Sequence, residues 1–424
     1  MMRHMYSLLM RALMPLMWLK LRLRARHEPI YAESMGERFG YYQQPALAGA
    51  LWIHAVSLGE TRSVRALVKA LRDTYPDVRL LLTHGTATGR SEGLSLLRAG
   101  DVQAWLPWDT PGAVDRFLKH FRPRLGMLIE TEVWPNLSVI AKQQDLPLVL
   151  VNARLSERSW QTANRWSALS KPTYSSLKAV WAQTDEDAKR LQSLGAPVSA
   201  VMGNLKFDAH VDTQTLAIGH AWRKALTNRP VVLLAISREQ EEAMFLEVLQ
   251  QHPEYLTQAQ WWIVPRHPQR FDEVASLMRA TGLPWHRRSQ WPKDLTQQEV
   301  AQELTLVLGD SLGEMPFYYG VASVAILGGS FAPLGGQNLI EACACACPVV
   351  MGPHTFNFKQ AAQWALAEQA ALRCPDMASA MRQALSLALD KPRQETMAQA
   401  GQQFARSHQG AVANCITSLG KLWD

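Results

Sequence analysis

VQAWLPWDTPGAVDRFLKHFRPRLGMLIETEVWPNLSVIAKQQDLPLVLV, residues 102–151, decides the fold. Three short apolar runs, 102–106, 125–129 and 146–151, alternate with amphipathic stretches at 110–121 and 136–144. A strand that is apolar on both faces and followed by a helix belongs to a parallel sheet with helices packed on each side. The same alternation extends upstream to strands at 51–58 and 78–83, with a helix at 61–74 between them, and downstream to strands at 179–183 and 198–202. A second series follows, with strands expected at 230–236, 261–264, 304–308, 323–327 and 348–351. Between the two series, residues 208–229 are weakly patterned, and the end of the chain, 377–424, reads as two helices. The expected architecture is α/β, with two doubly wound domains. Residues 29–210 form the first, and 211–424, with the terminal helices, form the second.

Composition narrows the function. At 424 residues, 47% hydrophobic and 19% charged, the chain is long enough for two or three globular domains, and it is neither disordered nor fibrous. The formal charge of +7 suggests nucleic acid until it is located. Residues 1–28 hold six Lys and Arg against Glu28 alone, a net of +5, so the other 396 residues carry only +2. No basic groove for nucleic acid is expected. Residues 5–19 are almost wholly apolar and run into LKLRLRAR. The run is short for a full span, its charges follow it, and no small-residue cleavage site comes after. Residues 1–28 therefore read as an N-terminal membrane anchor, monotopic or a short single span, with the body on the cytoplasmic side. The alternative is a core helix of the first domain. The five cysteines lack zinc spacing and do not suggest a disulfide framework; Cys343, Cys345 and Cys347 read as apolar filler in a reduced compartment.

In open parallel sheets ligands collect beyond the carboxyl ends of the strands, and six loops there carry unusual residues. HAVSLGET places Glu60 at a helix start, where it suits either capping or a general base. IETEVWPN sets Glu130 and Glu132 two apart on one face, a spacing that raises one carboxyl pKa. GNLKFD offers Lys206 to a phosphate or carboxylate, or to solvent, and VPRHP offers Arg266 and His267 to an anion. GDSLGEMP puts Gly313 and Glu314 at a helix start. In GGSFAPLGGQNLIEA two glycine pairs flank a loop that opens a helix at 337–346. Its main chain suits a phosphate, and Glu341 suits a ribose hydroxyl. The loop is neither a Walker loop nor a dinucleotide fingerprint, which disfavours a dehydrogenase and favours a nucleotide-sugar donor.

GERFG (36–40), HAVSLGE (54–60), ETEVWPN (130–136), NARLS (152–156), GNLKFD (203–208), VPRHPQRF (264–271), GGSFAPLGGQNLIE (328–341) and GPHTFNF (352–358) together resemble the 3-deoxy-D-manno-octulosonic acid (Kdo) transferases of lipopolysaccharide assembly. The resemblance runs through nearly the whole chain. It implies a GT-B fold with the active site between two Rossmann-like domains and an N-terminal anchor on the cytoplasmic face of the inner membrane. The implied reaction is inverting transfer of Kdo from CMP-Kdo to the lipid A precursor, with no metal or other cofactor. By motif, Glu60 resembles the general base, and Glu130 and Lys206 resemble transition-state stabilisers. Arg266, His267, Leu312, Gly313, Glu314, Asn338, Leu339, Ile340 and Glu341 resemble the CMP-Kdo site. Two positions depart from the family pattern. Ser237-Arg238 replaces a Thr-His pair, and Gln337 replaces a histidine. In GERFG, Glu37 and Arg38 read either as acceptor or lipid contacts or as a structural turn, with the turn favoured. The competing readings are a GT-B transferase with another nucleotide-sugar donor, and a non-enzymatic two-domain sugar-binding protein.

Overall fold

The computed structural model describes residues 1–26, 28–208, 211–226, 229–291 and 305–423. Position 304, at the start of one expected strand, and positions 209–210, at the expected domain boundary, lie outside the described residues. The chain forms two compact units, Met1–Ala209 with Gln409–Asp424, and His210–His408.

In the first unit, seven strands make one parallel sheet. They are β1 (Leu51–His54), β2 (Leu80–His84), β3 (Val102–Trp105), β4 (Leu125–Ile129), β5 (Leu148–Ala153), β6 (Ala179–Ala182) and β7 (Val198–Val201), in the order β3-β2-β1-β4-β5-β6-β7. β1, β2, β4, β5 and β6 are buried throughout, as a sheet covered on both faces requires. The first strand ends at His54 rather than at 58, because Ser57 caps the helix Leu58–Ser63.

The second unit repeats the plan with β8 (Val231–Ser237), β9 (Gln260–Pro265), β10 (Trp285–Arg287), β11 (Leu306–Leu308), β12 (Val324–Leu327), β13 (Val349–Met351) and β14 (Ala371–Arg373). Their order is β10-β11-β9-β8-β12-β13-β14. Every expected strand is present. The sequence reading lacked β10 and β14, three-residue strands at the two sheet edges whose partial exposure leaves no apolar run.

Two expectations about the ends of the second unit are corrected. The weakly patterned stretch 208–229 contains a helix, Thr213–Ala225, capped by Asp212. It packs on the helix Met315–Val321 through facing glycines. A Cβ on Gly320 would stand 2.7 Å from the Leu216 carbonyl oxygen, and one on Gly219 would strike the Phe317 carbonyl. The terminal segment forms three helices, Met377–Leu389, Lys391–Ser407 and Ala411–Trp423, and the last belongs to the first unit. Asp208 fixes that return by accepting the Gly410 and Val412 amides at 2.7 and 2.6 Å, and Cys415 and Leu419 complete the core beneath β1.

Residues Met2–Arg24 form one helix. Ser7 donates to Asn136 Oδ1 at 2.9 Å, and Tyr6 hydrogen-bonds Asp109, so this face of the helix packs on the first unit. The opposite face leaves Met5, Leu8, Leu9, Leu16, Leu19 and Leu23 exposed. Their spacing of three, four and seven puts them in one stripe. Among the described residues no helix is long and apolar enough to cross a membrane.

Candidate active site

In each sheet the strand order reverses at one place, between β1 and β4 in the first unit and between β8 and β12 in the second. Ligand sites of doubly wound sheets form at such points, and the loops after these four strands carry half of the candidate residues, the rest following β7, β9 and β11.

After β1, Ser57 and Glu60 form a reciprocal cap. The Glu60 amide reaches Ser57 Oγ at 3.4 Å, while the Glu60 carboxylate accepts the Val56 amide at 2.7 Å and the Ser57 hydroxyl at 3.0 Å. Burial pushes the Glu60 carboxyl up to about 7, and Glu130 and Glu132 add to the rise. A carboxylate that titrates near neutrality can accept a proton without a strong base being present.

After β4, Glu130 is held in the left-handed region at φ 61°. Such a conformation costs a residue with a Cβ about 1–3 kcal/mol. Its amide donates to the Val151 carbonyl at 2.9 Å. Its carboxylate lies 2.9 Å from Lys206 Nζ and 3.4 Å from Arg154 Nε. Asn152, also left-handed at φ 57°, accepts the Leu205 amide at 3.1 Å and so positions the Lys206 loop. Glu132 accepts the Trp134 indole at 3.0 Å, and burial first and Glu130 second raise its carboxyl, as the two-residue spacing implied. Beneath it sits His54, with Nε2 3.9 Å from Glu132 Oε2. Burial lowers the His54 pKa to about 3, so this contact is not an ion pair. The structure thus brings Glu60, Glu130 and Lys206 together. Asn152, Arg154 and His54 join them; the sequence holds them in the NARLS and HAVSLGE motifs without singling them out as site residues.

GERFG is a structural turn. Glu37 is buried, accepting the Trp105 amide and the Gln44 side chain at 2.5 Å each, with Arg90 at 3.3 Å. Arg38 donates to the Gly85 and Leu106 carbonyls and lies 4.3 Å above the Trp105 ring.

In the second unit, β8 ends in a bulge with Ile236 at φ 55°, a strained position for a β-branched residue. The close approach there demands glycine at 328, since a Cβ would stand 2.5 Å from the Ile236 oxygen. Glu241, fully buried, accepts the amides of Arg238, Gly329, Phe331 and Ala332 at 3.0, 2.6, 2.9 and 3.3 Å. Glu242, equally buried, accepts the Ser237 hydroxyl at 2.7 Å and a two-pronged pair from Arg270. The Ser237 departure therefore keeps the hydroxyl that this network uses. GPHTFNF locks the far side of the glycine loop: the Gly352 amide donates to Ser330 Oγ at 2.8 Å and the Asn357 amide to the Gly335 carbonyl at 3.0 Å.

Arg266 Nη1 donates to Gln337 Oε1 at 2.5 Å, so Gln337, where the family pattern has histidine, orients the guanidinium. His267 is pushed down by burial first, then by Arg238 and Arg266. These cations crowd one another beside the glycine loop, an arrangement that an anion relieves. The other candidates are placed unequally. Leu312 is exposed and Gly313 is left-handed at φ 78°. Glu314 already pairs with Arg288 and Ser311. Asn338 caps the helix Leu339–Ala344, with Glu341 in its first turn. Leu339 and Ile340 are buried, and the Ile340 amide already donates to the Asn338 side chain at 3.2 Å. All five cysteines are buried thiols, with Cys347 and Cys415 pushed up to about 12.

Two parallel α/β units of this kind are the architecture of the GT-B glycosyltransferases. Solved structures share the fold: a glycosyltransferase from Rickettsia africae (13% identical, TM-score 0.56, covering 90% of this chain and 99% of that one) and the UDP-GlcNAc 2-epimerase of Neisseria meningitidis (15%, 0.59, 88% and 100%). A family model described as 3-Deoxy-D-manno-octulosonic-acid transferase (kdotransferase) matches residues 33–209. The 3-deoxy-D-manno-octulosonic acid transferase of Bordetella pertussis is 46% identical over 98% of both chains, and that of Haemophilus influenzae 30% identical over 98% of both. The chain belongs to the Kdo transferases and is a glycosyltransferase. The non-enzymatic sugar-binding reading is set aside.

Proposed function

We propose that this enzyme moves Kdo from CMP-Kdo to the lipid A precursor (lipid IVA), with inversion and without a metal, at the cytoplasmic face of the inner membrane. The observation that carries the reading is Glu60, fixed by its cap and lifted to about 7 beside Glu130 and Glu132. A sugar hydroxyl is a weak nucleophile and needs a base. Glu60 takes its proton as the oxygen bonds to the anomeric carbon of Kdo. The bond from that carbon to the CMP phosphate oxygen breaks, and CMP leaves with the electron pair. Arg266, braced by Gln337, and Arg238 meet the phosphate charge. Lys206 and Arg154, aligned by Glu130, supply positive charge for the Kdo carboxylate.

The test is transfer from CMP-Kdo, generated in the same tube, to tetraacylated lipid A precursor, read as mass increments on the lipid. Increments of whole Kdo units support the reading and count the units added. No increment with folded, CMP-binding protein overturns the acceptor, and competition by UDP rather than CMP overturns the donor. Arg266→Ala should weaken CMP binding by about 10–100-fold in calorimetry while changing the melting temperature little, because the contact it gives up to Gln337 is to a neutral amide and leaves no charge unpaired. Turnover in EDTA should equal turnover without it; a loss restored by a divalent cation would overturn metal independence.

The N-terminal helix is proposed to lie on the bilayer, with the stripe of Leu8, Leu9, Leu16 and Leu19 in the interface and its basic residues at anionic headgroups. Leu9→Glu with Leu16→Glu should abolish co-sedimentation with phosphatidylglycerol vesicles and leave CMP affinity unchanged. Retained sedimentation would show that the stripe is not the membrane contact.

A further inference from the structure

His54 ends β1, at the place where the order of the first sheet reverses, and its side chain is 1% exposed. A histidine so buried needs a partner on each ring nitrogen. Nδ1 has one: Thr83, its in-register neighbour on β2, presents its hydroxyl at 2.9 Å and its carbonyl at 3.1 Å. Nε2 has no hydrogen-bond partner among the described residues. It approaches Oε2 of Glu132 at 3.9 Å, the same oxygen that accepts the Trp134 indole. That gap is about 1 Å beyond hydrogen-bond length, and catalytic hydrogen bonds often tighten only once substrate is bound.

The two oxygens of Thr83 bear on which nitrogen carries the ring proton. The carbonyl already accepts the Ala55 amide at 3.1 Å, and the hydroxyl accepts the Trp52 indole at 2.8 Å. The hydroxyl still has its own proton to give, and Nδ1 lies at 2.9 Å to accept it. The ring proton then sits on Nε2, and the chain from Trp52 through Thr83 to His54 ends in an N–H facing a carboxylate. Burial, His84 and Arg38 all lower the His54 pKa, so the imidazole is a neutral donor and not a cation. His84 is itself lowered to about 4 and is neutral as well.

We propose that His54 is a positioning residue for the transfer, whose Nε2–H holds the Glu132 carboxylate and, through that charge, sets how strong a base Glu60 is. The inference rests on Glu60 being the base. A hydrogen bond to the charged form of a carboxyl favours that form. Here it works against burial and Glu130, which both push Glu132 toward its neutral form. Glu130, the other charge that Glu60 feels, is already paired with Lys206 and Arg154, so the charge that His54 governs is that of Glu132.

The pH profile of kcat/KM, read as CMP release from CMP-Kdo with tetraacylated lipid A precursor, tests this. Glu132→Gln removes the charge. His54→Asn keeps an acceptor for the Thr83 hydroxyl and loses the atom that faces Glu132. Each should move the midpoint of the profile to lower pH by about half a unit, and the double variant no further, because both changes withdraw the same charge. Additive shifts, or an unmoved midpoint in Glu132→Gln, overturn the inference. So does a loss of rate in His54→Asn at every pH with the midpoint in place, the mark of a structural role. Nitrogen-15 NMR of the histidine-labelled wild type reads the tautomer independently of turnover, the His54 signal being the one that shifts in Glu132→Gln. A protonated Nε2 is expected; a protonated Nδ1, or no shifted signal, overturns the donor role, even if His54→Asn does not fold. Full turnover in Glu60→Gln would instead overturn the base itself, whereas unmoved midpoints beside an inactive Glu60→Gln overturn only the role of His54.

Discussion

Glu60→Gln lowers kcat by about 10²–10⁴-fold while CMP affinity is unchanged, the loss expected when a positioned base is removed. Glutamine keeps one oxygen to accept the Val56 amide and can turn its NH2 group to Ser57 Oγ as acceptor, so both cap contacts can persist while the ability to take a proton is lost. The pH dependence separates the two roles. With the carboxyl lifted to about 7, the ionised base accumulates as pH rises through that value. Wild-type kcat/KM should therefore climb about tenfold per pH unit below about 7 and level off above it. Stability runs the other way. Ionising Glu60 costs more in the folded chain than in the unfolded one, so its contribution worsens as pH rises from the ordinary carboxylate range through about 7. Glu60→Gln removes that penalty, and above neutral pH the variant should melt no lower than the wild type. Full turnover in Glu60→Gln, with a lower melting temperature in Glu60→Ala, would leave Glu60 as a cap only.

The first-unit part of this site was legible because a parallel sheet advertises itself. Each buried strand is an apolar run, and the loop after it holds residues that neither core nor solvent requires: SLGE after β1, ETE after β4. The strands at the centre of each sheet were readable for the same reason. β10 and β14 were not, because three residues at an edge, half exposed, need no apolar run. The helix Thr213–Ala225 lacked a strong apolar face because its closest contact is made by Gly219 against Gly320, backbone to backbone. The return of Ala411–Trp423 to the first unit rests on Asp208, two hundred residues away in sequence, and local patterning says nothing about such a distance. Glu241 was hidden in a plainer way. In SREQEE it reads as one of several surface acids at a helix start, yet it is fully buried because the glycine loop brings its amides there.

Glu241→Ala is accordingly expected to be the most damaging substitution in the second unit. It withdraws the acceptor from four main-chain amides at once, three of them in the loop 329–332. A buried donor left without a partner costs about 1–3 kcal/mol. Even with water reaching some of them, a loss of about 3–5 kcal/mol follows, or a fall of roughly 10 °C in the melting of a unit this size. The glycine loop cannot hold its left-handed turns at Gly329, Gly335 and Gly336 without that anchor, so CMP binding should vanish as well. Glu241→Gln keeps one acceptor oxygen but turns an NH2 group toward donors, and should fall between the wild type and alanine. Calorimetric melting and CMP titration on the same samples check this. The contrast with Arg266→Ala is diagnostic, because that variant should lose CMP affinity while its melting temperature changes little. If Glu241→Ala melted normally and bound CMP normally, the loop would have to be held by its GPHTFNF contacts alone. The buried carboxylate would then be incidental to the site.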